Sequence, residues 1–139
     1  MTPANARATP DSSIVIAGFA SWHEKHAAAL DGLRGIGDLV AHAELESYSV
    51  LTRLPEPFQI APDDIADYLR KRYPGRRMAL PEAERRALVA RFARLSIAGG
   101  AVYDGLVALT AAHHGYRLIS CDRRAASTYD RLDVEVTYL

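Results

Sequence analysis

Residues 101–122, AVYDGLVALTAAHHGYRLISCD, constrain the fold more than any other stretch. Asp104 opens an apolar helix, Gly115 closes it, and Tyr116–Ser120 read as a short strand with Asp122 just beyond its end. In a parallel α/β sheet, groups at a helix N-terminus and groups past a strand's carboxyl end meet in one crevice. Two carboxylates placed that way are candidates for a shared cation.

The rest of the chain repeats the alternation. A short strand is expected just before Asp11, within an otherwise loose segment 1–10, and the apolar SSIVIAGFA follows. His23–Arg34 has a helical pattern, with Ala27, Leu30 and Leu33 on one face and Gly35 as the stop. Asp38–Ala41 suits a buried strand. Glu44–Arg53 reads as a helix ending before Leu54-Pro55, because the residue before proline disfavours the α region. Pro62-Asp63-Asp64 starts a helix that runs to about Tyr73, with acids at its positive dipole end. Pro81 starts another, with Leu88, Phe92 and Leu95 toward the core. Leu95–Ala98 is expected to be a brief strand, Arg124–Arg131 a short helix and Val134–Tyr138 a last strand. Short strands alternating with helices of this length predict one α/β domain over 1–139, a parallel sheet covered by helices on both faces.

At 139 residues and 49% hydrophobic, the chain is long enough and apolar enough for a real core. No apolar run approaches the roughly 18 residues of a membrane span, and MTPANARATP lacks the basic-then-apolar layout of a signal peptide. Cys121, the single cysteine, excludes an internal disulfide framework and a zinc-ribbon cage. An intracellular, cytoplasmic protein without membrane contact is the expectation. Net charge is zero, but residues 70–94 carry nine basic residues against Glu82 and Glu84. Of all 17 basic residues only Lys25 and Lys71 are lysine. Arginine is favoured where planar, bidentate phosphate contacts matter. Solvated helix faces are the plainer account of any one of them.

Each acid taken singly has an ordinary structural explanation. Asp11, between Pro10 and Ser12-Ser13, fits a metal ligand or the N-cap of the next helix. Asp104 fits first-turn dipole chemistry, and Asp122 a local cap or an ion pair with Arg123 or Arg124. Glu44 and Glu46 lie two apart and point to different helix faces. Together they say more: Asp11 and Asp122 each follow a strand, while Asp104 and one of the glutamates lie near helix starts. A fold that gathers those ends places three or four carboxylates in one pocket, where like charges raise one another's pKa unless a cation is present. Oxygen-only ligands select Mg²⁺ or Mn²⁺ over zinc. The matching chemistry is metal-assisted phosphodiester hydrolysis, in which a cation polarises the phosphoryl oxygen and activates water.

Competing motifs are absent. There is no GxGxxG after a strand, no GxxxxGK[ST] and no GxSxG elbow. His113 and His114 are adjacent and cannot share a helix face, and His23 and His26 lack a matching Cys or His partner. Cys121 at a strand end is better read as a core thiol than as a nucleophile.

Four segments carry a family likeness: Asp11-Ser12-Ser13 with IVIAG, HAELESYSVLTRLP (42–55), VYDGLVALTAAHHG (102–115) and LISCDRRAASTYDRL (118–132). In that order and spacing the chain resembles the PIN-domain ribonucleases, specifically the VapC-like toxins of bacterial toxin–antitoxin pairs. The resemblance implies a PIN-like fold and an acidic quartet of Asp11, Glu46, Asp104 and Asp122 as catalytic and metal-binding residues. Glu46 is chosen over Glu44 because the family's glutamate stands six residues before the Thr of its leucine-threonine pair, here Thr52. Ser13 and Ser120 match hydroxyls that support the site by hydrogen bonding. The lead-in NARATP departs from the family's hydrophobic first strand, and its proline suits a short or edge strand. Further implications are Mg²⁺ or Mn²⁺ as cofactor, RNA as substrate, a homodimer and a VapB-like antitoxin whose tail enters the active groove. Arg72, Arg76, Arg77, Arg85 and Arg86 become candidates for contact with RNA phosphates or with an acidic antitoxin segment. The reading from a different class is a catalytically silent PIN-fold module that binds RNA or protein.

Overall fold

The computed structural model describes residues 7–139. The expectation of a loose start over 1–10 falls mostly outside them, and Ala8–Pro10 within them form the first strand, β1. Elements then alternate: α1 (Ser12–Phe19), α2 (His26–Gly32), β2 (Leu39–Val40), α3 (Ala41–Leu51), α4 (Pro62–Arg72) and β3 (Arg77–Met78). They continue with α5 (Glu82–Arg94), α6 (Ala101–His113), β4 (Arg117–Ser120), a 3₁₀ turn over Arg123–Ala125, α7 (Ala126–Arg131) and β5 (Val136–Tyr138).

Every strand pair is parallel among the described residues. β4 is central to a three-stranded group, with β1 on one side (Thr9 opposite Leu118) and β5 on the other (Ile119 opposite Thr137). β2 and β3 form a second pair, Leu39 opposite Arg77. Asp38 ties the two groups at the amino ends of the strands. Its carbonyl accepts from Thr9 Oγ1 at 2.9 Å, its Oδ2 from Tyr116 OH at 2.6 Å and its Oδ1 from the Arg76 amide at 2.7 Å. The Tyr116 bond first, and the Arg76 amide second, hold the Asp38 carboxyl below its ordinary range.

Both faces of the strands are buried, as the parallel reading requires. Adjacent residues of one strand enter different clusters. Leu39 and Ile119 pack with Ile14, Leu33, Leu51 and Leu69, whereas Val40 and Leu118 pack with Val107, Ala111, Met78 and Tyr129. A third cluster joins Phe92, Leu109 and Leu132. Among the described residues no helix is long and apolar enough to cross a membrane.

Three local expectations differ from the structure. The helix expected over His23–Arg34 begins only at His26, and its core face is Ala29 and Leu33, while Leu30 is 47% exposed. Leu33 reaches the core as expected, and Ala29, one turn before it, takes the place expected of Ala27 and Leu30. No strand forms over Leu95–Ala98. There α5 ends in a Schellman turn: Ser96 takes φ +55°, its amide donates to Ala93 O at 3.2 Å, and Ile97 N donates to Phe92 O at 2.9 Å. The apolar Ile97 closes against Phe92 as such a cap requires. Finally, β3 was not foreseen, because a two-residue strand between Pro74-Gly75 and Pro81 leaves no periodicity to read.

Gly105 sits inside α6, where a Cβ would meet Phe92 Cε1 at 2.8 Å and Leu132 Cδ1 at 3.3 Å. Gly→Ala in a helix ordinarily stabilises by about 0.5–1 kcal/mol, but overpacking a core costs about 1–3 kcal/mol. Gly105→Ala is therefore expected to lower the urea midpoint, and a raised midpoint would show that Phe92 yields freely.

Candidate active site

The acids meet where the carboxyl ends of the strands face helix starts. Asp11 follows β1 directly and is bonded into the sheet by its own amide, which donates to Ile119 O at 2.9 Å. It is also the N-cap of α1, accepting from Ile14 N at 3.3 Å. The side chain is almost sealed, 5% exposed, and both of its oxygens are engaged. Ser13 Oγ donates to Oδ1 at 2.5 Å, and Tyr129 OH, from α7, donates to Oδ2 at 2.8 Å. Burial raises the Asp11 carboxyl above its ordinary value, and the bonds from Ser120, Ser13, Tyr129 and Ile14 pull against it. The same acid is thus a helix cap and a member of the cluster.

Asp122 lies beyond β4 and caps the 3₁₀ turn, its Oδ1 accepting from Arg124 N at 3.0 Å and Arg124 Nε at 3.3 Å. Two hydroxyls link it back to Asp11. Ser120 Oγ accepts from the Asp122 amide at 3.0 Å and lies 3.4 Å from Ser13 Oγ, which itself accepts from Cys121 N at 3.0 Å. Ser13 and Ser120 therefore orient the acids through a short polar ladder. Burial raises the Cys121 thiol, which disfavours a thiolate nucleophile there.

Glu46 and Asp104 complete the group from α3 and α6. Glu46 is pushed up to about 7, first by burial and then by the charges of Asp104 and Asp11. Asp104 is pushed up to about 6 by burial, then by Asp122 and Asp11. Asp104 and Asp11 act on Glu46, and Asp122 and Asp11 act on Asp104, which links the four carboxylates electrostatically. Glu44 takes no part: its Oε2 pairs with Arg77 Nη2 at 2.6 Å and Nε at 2.7 Å on the other side of α3. His42, one turn before Glu46, stands with Nε2 3.7 Å from Glu46 Oε1, close enough for an ion pair but too long for a hydrogen bond, and that buried nitrogen has no partner. Burial, and then Arg85, hold the His42 imidazole below its ordinary value, so the neutral ring is favoured.

The donor set fits a hard divalent cation, being carboxylate oxygen throughout. The side chains are coupled without being closed into a cage, since no three His, Cys, Asp or Glu among the described residues are grouped tightly enough to hold an ion.

Of the basic candidates, two have structural partners. Arg72 caps the region after α2, Nη1 donating to Ile36 O and Nη2 to Leu33 O, both at 2.7 Å. Arg77 holds Glu44. Arg76, Arg85 and Arg86 are exposed, with Arg86 only loosely paired to Glu82 at 3.5 Å. Tyr129 is the functional-site residue that motif reading passed over, since nothing in the local pattern marks a bond spanning 118 positions.

Carboxylates gathered at the carboxyl ends of a small parallel sheet form an acidic crevice in an α/β fold. Comparison with known proteins is consistent and more specific. The PIN domain model matches residues 8–131. Ribonuclease VapC40 from Mycobacterium tuberculosis, in strains CDC 1551 / Oshkosh and H37Rv, is 46% identical over 127 residues, covering 91% of this chain and 95% of that protein. Ribonuclease VapC27 from strain H37Rv is 39% identical, covering 91% and 92%. In fold, a chain of the FitAB complex bound to an IR36 DNA fragment superposes with TM-score 0.64 at 19% identity, covering 94% of this chain and 93% of that one. The chain belongs to the PIN-domain family, among its VapC-type ribonucleases.

The raised carboxyls make a stability prediction for the metal-free protein. Folded Glu46 and Asp104 hold protons to about 7 and 6, against ordinary values of 4.5 and 3.8. Their contribution is fully present below the ordinary values and is lost as pH rises through the folded ones. In EDTA the urea midpoint is expected to fall between pH 5 and pH 7.5. Glu46→Gln should flatten that fall, and an unchanged slope would remove Glu46 from the cluster.

Proposed function

We propose that this chain is a metal-dependent endoribonuclease of the VapC type, with Asp11, Glu46, Asp104 and Asp122 as its catalytic, cation-holding residues. The observation that carries the reading is the crowding of these acids: burial, Asp104 and Asp11 raise Glu46, while burial, Asp122 and Asp11 raise Asp104. Carboxylates that repel in this way gain most from a shared cation. Mg²⁺ is the expected ion, with Mn²⁺ as its substitute. When bound, the cation supplies Lewis acidity toward a phosphoryl oxygen and a more acidic water for in-line hydrolysis.

The chain's own residues do the positioning. Tyr129 and Ser13 fix both oxygens of Asp11, so that its orientation does not depend on the substrate. Ser120 holds the Asp122 backbone, and Arg124 beside Asp122 offers a positive charge to an incoming phosphate. Arg85, Arg86 and Arg76 lie outside as exposed cations suited to the RNA backbone or to an acidic antitoxin segment. A VapB-like antitoxin, a homodimer and a cytoplasmic setting follow from the family's biology. The silent-module reading is favoured by the open arrangement of the acids among the described residues.

Activity separates the two readings. With Mg²⁺ or Mn²⁺ the protein is expected to cut RNA, to lose cutting in EDTA and to fall to background as Asp104→Asn with its circular dichroism unchanged. A wild type that binds RNA yet never cuts it with either metal would end the nuclease reading.

A further inference from the structure

The acidic site is flanked by an aromatic surface to which the hydrolytic chemistry assigns no role. Tyr103 precedes Asp104 on α6 and is 52% exposed, a large aromatic side chain left open to solvent. It does not swing freely, because its ring lies against the His42 imidazole with centroids 5.2 Å apart and planes within 10°. His42 in turn is one helical turn before Glu46. Stacking, not hydrogen bonding, sets the imidazole plane, for its Nε2 is without a hydrogen-bond partner even beside Glu46. An imidazole stacked against a half-exposed phenol makes a two-layer platform. Two of the four acids accompany the two layers, Asp104 next to Tyr103 in sequence and Glu46 one helical turn after His42. Arg85, which lines a groove with His42, Leu45 and Leu106, adds positive charge on the same side.

The molecule's other exposed aromatic pair behaves differently. Trp22 and Phe58 stack on each other, centroids 4.4 Å apart and planes within 23°. Trp22 follows the C-terminal end of α1, whereas Asp11 stands at that helix's N-terminus. The pair satisfies itself and lies away from the acids.

We infer that the outer face of Tyr103 is a stacking subsite for one unpaired nucleobase of RNA whose phosphate lies at the acidic site. The inference rests on the nuclease reading and deepens it. An exposed ring face beside cations and beside a phosphodiester-cleaving site matches single-stranded RNA, whose splayed bases stack on aromatic side chains. The ring is pre-positioned by His42, so stacking on it immobilises no further side chain. A base held there selects unstacked RNA over duplex, because a base inside a duplex has both faces covered by its stacked neighbours.

The test has a binding arm and a kinetic arm. A single-stranded oligoribonucleotide carrying 2-aminopurine at its adenosine positions is titrated with the protein in Ca²⁺. Wild type and Tyr103→Phe are expected to quench its fluorescence by stacking, and Tyr103→Ala is not. With Mn²⁺ and an unlabelled oligoribonucleotide, Tyr103→Ala should raise KM about tenfold, in line with the usual worth of one base–aromatic stack, with kcat within about twofold. Tyr103→Phe and the control Trp22→Ala should match wild type. Equal quenching and equal KM in wild type and Tyr103→Ala would overturn the platform while leaving the nuclease intact. Loss in Tyr103→Phe equal to that in Tyr103→Ala would also overturn it, by assigning the effect to the hydroxyl. Tyr103-dependent quenching without any cleavage in either metal would sustain the platform and end the nuclease reading.

Discussion

One nearly sealed carboxylate organises the rest of the site. Asp11 is 5% exposed, and a buried carboxylate is tolerable only when hydrogen-bonded or paired. Two helices meet that demand. α1 offers the Ile14 amide and the Ser13 hydroxyl, and α7 offers the Tyr129 hydroxyl from the far end of the chain. The Asp11 amide joins β1 to β4 through Ile119 O. Satisfying this side chain fixes where α7 packs and where α1 begins, and the backbone of the same residue fixes how β1 meets β4. The Ser13–Ser120 contact extends the same order to Asp122.

The opposite ends of the strands are tied by an acid with the contrary balance. Asp38 collects Tyr116, the Arg76 amide and, through its carbonyl, Thr9, and its carboxyl is lowered rather than raised. It is a structural anchor that is content as an anion. At the carboxyl ends, Glu46 and Asp104 are raised by burial and by their neighbours, and Arg124 at the rim offsets the charge on Asp104. The fold holds its charge strain at one end and its ties at the other. That division is what distinguishes a site from a scaffold when both are built from aspartates.

Much of this was legible in the amino-acid order. Pro62, Pro81 and Gly115 punctuate helices that form where expected, and the segment from Asp104 to Asp122 lies in the structure as helix, turn and strand. The choice of Glu46 over Glu44 rested on its distance from Thr52, and the structure sets Glu44 against Arg77 on the other side. What could not be read were features without local period. β3 is two residues long. The Leu95–Ala98 stretch is apolar because Ile97 closes a helix cap, and a serine in the left-handed region gives no warning of it. The Tyr129–Asp11 bond and the use of Arg72 on two carbonyls depend on contacts far apart in sequence, which pattern reading does not reach.

On the proposed function, the four acids act as one cation site. Calorimetric titration of the metal-free protein with Mn²⁺ at pH 6.5, in two buffers of different ionisation heat, tests it most directly. A shared site entails saturable binding that releases protons, because Glu46 is raised to about 7 and must give up its proton to serve as a ligand. It further entails that Asp11→Asn and Asp122→Asn each weaken that binding by about tenfold or more. Mn²⁺ binding that releases no protons and is indifferent to both substitutions would contradict it.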